Sequence, residues 1–176
     1  MSKALATTGV FGLPAKILDG NIRIKVNVRT DQERQWQLAK LEPIAGVQIV
    51  DCPGGGLQQG EDFEKGLRRE IREETGDCEI KFSSSLKYFS KPYSFFGEGT
   101  AEKPNDYAFW APIVLLGDSK PSNEALAHPW ISFEEFLKEN PYRCVGGLGN
   151  KGRTGQMLRS AFMFYEQNRG NPDLFS

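Results

Sequence analysis

One histidine, His128, and three cysteines, Cys52, Cys78 and Cys144, are all that 176 residues offer of imidazole and thiol ligands. A single imidazole excludes a histidine-rich metal centre, and a Ser-His-Asp or Cys-His nucleophilic site would have to use His128. That residue precedes Pro129 in a polar stretch, where an ordinary loop histidine is the better reading. The cysteines are odd in number, widely spaced and without a CxxC pair, so neither a disulfide framework nor a zinc site is indicated and three free thiols are expected. Charge of one sign is lacking as well: 22 basic and 23 acidic residues leave a formal net charge of −1. No global field therefore recruits duplex nucleic acid or an anionic membrane. The longest apolar runs, such as residues 108–116, are about half of a bilayer span. Thr7, Thr8 and Gly9 interrupt the N-terminal apolar residues that could otherwise be misread as a signal peptide, so a cytoplasmic protein is expected.

What is present suits one compact domain over residues 1–176. With 39% hydrophobic residues, 26% charged residues and 12 Phe, a chain of this length buries roughly 70% of its unfolded surface. No internal repeat, linker or low-complexity tract divides it. Ile22, Ile24, Val26 and Val28 alternate with Arg23, Lys25 and Asn27, a strand with one buried face, and Asp19-Gly20-Asn21 before it reads as a hairpin turn. Trp36, Leu38 and Leu41 suggest a second strand, residues 46–52 a third, and Pro53-Gly54-Gly55-Gly56 a turn. Residues 105–116 read as a long buried strand in which Pro112 argues for an edge or a bulge. Ser132 and Glu135 form a capping box for a helix over 132–138, and Met157, Leu158, Ala161, Phe162 and Tyr165 give the core stripe of a C-terminal helix over about 154–169.

The stretch that carries chemistry is GGLQQGEDFEKGLRREIREETG, residues 55–76. Asp62 is a good N-cap and Gly76 a fitting C′ residue, so a helix should run about 62–75. At about 100° per residue, Glu70 and Glu74 share a face with Phe63 and Leu67, Glu73 sits on its shoulder, and Lys65, Arg68 and Arg72 project from the opposite side. Carboxylates beside an apolar stripe are costly unless a cation compensates them. Oxygen-rich clusters of this kind suit a hard divalent ion such as Mg²⁺ or Mn²⁺. The glycines before the helix would let backbone groups approach a metal or a phosphate.

Gly55, five residues, Glu61, seven residues and then Arg69-Glu70-Ile71-Arg72-Glu73-Glu74-Thr75-Gly76 resembles the Nudix box, the signature of the Nudix hydrolases. Seven fixed positions coincide by chance on the order of once in a hundred million starts. One position departs, Asp77, where the box usually closes on an aliphatic residue. The resemblance implies an α/β fold, the Nudix-type α/β/α sandwich with a mixed curved sheet, the box helix on one side and the C-terminal helix on the other. It implies Mg²⁺ or Mn²⁺ held by Glu70, Glu73, Glu74 and a carbonyl near Gly55, with Arg69 orienting the acids. Glu124, in the polar loop 117–127, is the candidate for the outer acid, and either it or Glu70 would take the proton of an attacking water. The implied reaction is hydrolysis of a pyrophosphate bond in a nucleoside diphosphate linked to another group.

Residues downstream of the box bear on the substrate. Pro92 stands where the ADP-ribose pyrophosphatase group has a proline, and GVQIVDCPGGGLQQGED is similar to that group's approach to the box, which also implies a homodimer. Tyr93 stands where dinucleoside polyphosphate hydrolases have a tyrosine, and Ser90, Pro92, Tyr93 and Phe95 resemble part of the NADH pyrophosphatase pattern. A nucleotide-sensing domain without catalysis is the alternative of another class, although the intact acids of the box favour an enzyme. Tyr93, Phe95 and Phe96 lie in a glycine-flanked loop from which aromatic rings can stack on a base. Lys151 and Arg153, in the glycine-rich stretch 141–155, are candidates for contacts to substrate phosphates.

Overall fold

The computed structural model describes residues 6–76, 78–83, 90, 93–95, 105–145 and 148–175, with the backbone alone for Ala6, residues 93–95 and Asn105. In chain order the elements are β1 (Ala6–Leu18), β2 (Asn21–Lys25), β3 (Asn27–Arg29), α1 (Gln32–Ala39), β4 (Gln48–Asp51), β5 (Gly54–Gly56), α2 (Phe63–Thr75), β6 (Glu79–Phe82), β7 (Tyr93–Phe95), β8 (Asn105–Leu116), β9 (Ala125–Ala127), β10 (Trp130–Ser132), α3 (Phe133–Lys138), β11 (Tyr142–Cys144) and α4 (Arg153–Gln167). Among the described residues, no helix is long and apolar enough to cross a membrane.

Two mixed sheets form the middle layer. The larger has the order β10-β2-β1-β8-β6, with β5 added to β1 and β7 added to β8; the smaller runs β11-β4-β3-β9. β1 and β8 are parallel, from Ala6 opposite Asn105 to Pro14 opposite Ile113, and their alternation divides the core in two. Phe11 and Leu13 with Ala108 and Trp110 face α4, which adds Met157, Leu158, Ala161, Phe162 and Tyr165. Val10 with Ala111, Ile113 and Leu115 faces α2, which adds Leu67 and Ile71. The expected α/β/α sandwich is therefore present. Each fully buried aliphatic side chain contributes about 1.5–3 kcal/mol before the cost of ordering it.

The expected hairpin forms at Asp19 and Gly20, both at positive φ. Elsewhere four local expectations are corrected. Residues 32–39 are helix, not strand: Gln, Glu, Arg, Leu and Ala favour it, Lys40 closes it in a left-handed conformation, and Trp36 alone is buried. Gly54, Gly55 and Gly56 form a strand, β5, paired with Phe11, Val10 and Gly9, instead of a turn. Pro112 is not at an edge, since β8 has partners on both sides. It falls between the residues of β8 paired with β7, ending at Ala108, and those paired with β6, starting at Ile113, where the change of neighbour removes the need for its N–H. Lys25 and Asn27, expected on a solvent face, are buried, because the chain leaves one sheet at Val26 and enters the other.

Candidate active site

The helix α2 begins and ends as its sequence dictates. The Asp62 side chain accepts from Lys65 N and Gly76 closes the helix at φ 69°. Leu67 and Ile71 fill the core, and next to them Glu70 and Glu74 turn toward β5. Glycines make this approach possible. A Cβ on Gly55 would stand 2.4 Å from Glu70 Oε2, and Gly54, at φ 135°, lies where a Cβ would meet Val10 O at 2.2 Å. Of the cations expected opposite, Lys65 and Arg72 are exposed, whereas Arg68 folds back to donate to Ile80 O at 2.6 Å and stacks on Phe82.

Each acid of the helix has a different environment. Glu74, 5% exposed, accepts at Oε2 from Gly54 N at 2.6 Å and from Asn27 Nδ2 at 3.0 Å. Burial pushes its carboxyl up to about 8 against the pull of the Gly54 N–H, and Asp51, Glu70 and Glu124 push the same way as burial. Glu70 is also raised, first by burial, although Arg69 Nη1 lies 2.7 Å away. Glu73 is 54% exposed and meets Arg69 at 3.2 Å. Arg69 binds Glu61 at 2.8 and 2.9 Å and donates to Gly56 O at 2.8 Å. Its guanidinium pulls the Glu61 carboxyl down to about 2. Arg69 thus reaches Glu61, Glu70 and Glu73 at once.

A cleft of about 380 Å³ opens over these groups, lined by Thr7, Thr8, Gly9, Phe11, Arg29, Asp51, β5, Glu70, Glu74, Asp106, Glu124 and Arg153. Its acids end in oxygen, and two of them are raised first by burial and then by neighbouring acids, Glu70 by Glu73 and Glu124, and Glu74 by Asp51, Glu70 and Glu124. Such a donor set fits a hard divalent cation, which would relieve the repulsion. Arg69 engages Glu70 and Glu73 instead, and among the described residues no three acidic, histidine or cysteine side chains stand close enough to hold an ion.

The sequence-predicted residues separate into groups. Gly55, Glu70, Glu74, Glu124 and Arg153 line the cleft, and Arg69 braces its edge. Glu73 lies outside the lining, as does Lys151, which is exposed two residues before Arg153. Tyr93 and Phe95 belong to β7, whose backbone pairs with residues 106–108 of β8, and Phe96 lies outside the described residues, as does Pro92. Four functional candidates had no signal in the sequence. Arg29 pairs with Asp31 at 2.9 Å. Asp51 accepts from Thr154 Oγ1 at 2.7 Å. Asp106 takes Arg153 Nη1 at 2.6 Å and Thr7 Oγ1 at 3.0 Å. Asn27 donates to Glu74. All four come from strands outside the box, and only the β1–β8 and β3–β4 pairings bring them to it.

Comparison with known proteins agrees with this geometry. The family model described as the NUDIX domain matches residues 27–144, well over half of the chain. Similar solved structures include a C. elegans Ap4A hydrolase in a binary complex, at 17% identity and TM-score 0.55, covering 90% of this chain and 97% of that one. A possible asymmetric diadenosine tetraphosphate hydrolase from Jonesia denitrificans has 16% identity and TM-score 0.60, covering 90% and 94%. The MutT protein from Methanosarcina mazei has 17% identity and TM-score 0.53, covering 96% and 99%. At these identities the likeness is one of fold. Comparison with curated proteins finds no match.

Proposed function

The chain belongs to the NUDIX family and is a pyrophosphohydrolase, and we propose that it cleaves, with a divalent metal ion, a nucleoside diphosphate linked to a second group, of the ADP-ribose or nucleotide-sugar type. Nudix hydrolases generally use divalent metals. The observation that carries the reading is the pair of carboxylates, Glu70 and Glu74, held against a glycine strand in one cleft with Glu124, Arg29 and Arg153. Glu70, Glu73 and Glu74, with a carbonyl near Gly55, would hold Mg²⁺ or Mn²⁺. When bound, the ion neutralises the diphosphate and makes its water more acidic.

The chain's own groups divide the remaining work. Arg69 keeps Glu70 oriented at the cleft and Glu73 beside it, outside the lining. Either Glu70 or Glu124 accepts the proton as water oxygen bonds to phosphorus. The bridging P–O bond breaks, releasing a nucleoside monophosphate and a phosphorylated remainder. Arg153 and Arg29 stand in the cleft to meet phosphate oxygens with charge-assisted hydrogen bonds. Lys151 would contribute from outside the cleft, and Tyr93, Phe95 and Phe96 would supply rings for the base.

Purified protein offered ADP-ribose, nucleotide sugars, diadenosine polyphosphates and NADH with Mg²⁺ or Mn²⁺ tests this reading. Preference for ADP-ribose or a nucleotide sugar is expected. Faster cleavage of a diadenosine polyphosphate would replace it with the reading that Tyr93 suggests, the class named for two of the similar folds. If none is cleaved, and Glu70→Gln and Glu74→Gln leave metal affinity unchanged, catalysis at this cleft is wrong and a nucleotide sensor is the better description.

A further inference from the structure

Behind the cleft, Glu74 is tied to a loop through two side chains outside the box. Asn27, 3% exposed, donates from Nδ2 to Glu74 Oε2 at 3.0 Å. Its Oδ1 lies 2.7 Å from His128 Nδ1, and His128 Nε2 lies 2.8 Å from Lys120 O. Lys120 N in turn donates to Thr75 O at 2.9 Å, next to Glu74 in α2. The circuit closes on itself: box helix, Asn27, His128, loop, box helix. The same loop carries Glu124, whose carbonyl accepts from Thr30 N at 3.3 Å.

Donor and acceptor chemistry constrains the order of this chain. Once ionised, as a ligand to a cation is, the Glu74 carboxylate only accepts, so Asn27 presents its NH₂ group to it. Its carbonyl then faces His128 Nδ1, and because Lys120 O at Nε2 is an acceptor too, the ring donates on both sides only as imidazolium; neutral, it serves one of the two. An amide free to turn over would aim its oxygen at the Glu74 carboxylate instead. Packing alone does not call for an amide here. Val26 and Val28 flank Asn27 in the core, and an apolar side chain there would avoid burying polar groups.

We propose that Asn27, its amide oriented by the His128 ring it abuts, is a positioning residue that holds the Glu74 carboxylate toward the cleft and so sets the site's affinity for a divalent cation. The proposal rests on the reading of Glu74 as a cation ligand. His128 acts one step further back and touches neither the cleft nor Glu74.

Mn²⁺ binding to the full chain, followed by the electron paramagnetic resonance of free Mn²⁺ without substrate, tests it. Asn27→Leu should weaken Mn²⁺ binding roughly 10–100-fold, the usual effect of losing a group that orients a ligand. His128→Phe, which leaves Asn27 in place but unoriented, should weaken it several-fold. His128→Asn, whose amide N–H can stand where Nδ1 stood, should return it to within about twofold of wild type. Glu74→Gln separates the two levels. If it binds Mn²⁺ as wild type does, or if wild type binds none, both the ligand reading and this proposal fall. If Glu74→Gln binds weakly while Asn27→Leu and His128→Phe match wild type, the positioning role alone is overturned. Should Asn27→Leu not fold, the contrast between His128→Phe and His128→Asn decides: equal affinities reject the role, and recovery in the asparagine variant supports it.

Discussion

The two long helices flank the main sheet from opposite sides, and they bury opposite kinds of face. α4 offers Met157, Leu158, Ala161, Phe162 and Tyr165, and its two buried hydroxyls are both used, that of Tyr165 donating to Leu13 O and that of Thr154 to Asp51. α2 buries Leu67 and Ile71, and beside them Glu74, with Glu70 under the glycine strand. The first face is what packing requires. The second places ionisable oxygen where packing would prefer carbon, at a cost in stability that only a function explains. Stability and chemistry thus sit on different faces of one sheet, and substitutions should move them separately.

The largest expected effect is on catalysis from α2. Glu70→Gln should lower kcat by a factor on the order of 10²–10⁴, the range for losing a positioned acid or base. Urea unfolding of the metal-free protein should show no loss of stability, because the variant removes a charge held in a costly place. A fall in stability matching the fall in rate would break the division between the helices.

Next comes the pH dependence of metal-free stability, to which Glu74 of α2 should contribute most, opposed by His128, whose ring burial pushes down. The Glu74 carboxyl lies near 4.5 when unfolded and is pushed up to about 8 by burial in the fold. Between those values the folded state keeps a proton that the unfolded state has lost. Stability therefore falls as pH rises from about 4.5 to about 8, and this group adds no further change above that. The ceiling on the fall is about 5 kcal/mol, from the size of the shift. Glu74→Gln should flatten the curve and be the more stable protein above pH 8. Parallel curves for the two proteins would show that Glu74 is not what titrates.

On the other helix, Phe162→Ala should cost about 3–5 kcal/mol of stability by leaving a cavity. Its kcat, measured per folded molecule at low temperature, should match wild type. Burial pushes the Tyr165 hydroxyl well above its usual value, so α4 adds no titration in this pH window. The Phe162→Ala curve should run below wild type and parallel to it.

How much of this was legible in the chain follows the same division. Both helices carry local signals. Asp62 and Gly76 bound α2, the stripe from Met157 to Tyr165 marks α4, and Ser132 with Glu135 makes the capping box observed at α3. The acids of the box are legible because two carboxylates four apart beside leucine and isoleucine are improbable by packing alone. The cleft's other wall was not. Asn27 sits in an alternating run that reads as solvent-facing, and it is buried only because the chain changes sheet at Val26. Asp51 and Asp106 look like ordinary strand-end polar residues until Thr154 and Arg153 reach them from α4. Residues 32–39 misled by showing Trp36 and Leu38 two apart, whereas Leu38 is 60% exposed and the helix is tied to β4 by the Gln32 side chain.

The smallest expected effect concerns the one point where α4 enters the cleft. Lys151 and Arg153 read alike in the sequence, two cations in a glycine-rich stretch. In the fold they differ, because Gly152 extends the backbone and the helix starts at Arg153. Arg153 turns inward, bound to Asp106 at 2.6 Å and stacked 5.4 Å from the Phe11 ring, while Lys151 stays in solvent. A guanidinium already oriented by a carboxylate and a ring loses little freedom on meeting a phosphate. A charge-assisted hydrogen bond of that kind is worth about 1.5–3 kcal/mol. Arg153→Gln should therefore raise KM about tenfold or more with kcat nearly unchanged, whereas Lys151→Gln should shift KM less than about twofold at physiological salt, where exposed charges are screened. Steady-state kinetics on whichever substrate the panel selects reads both. Equal effects at the two positions would mean that the charge of the stretch acts as a diffuse field, and that α4 has no defined contact with substrate.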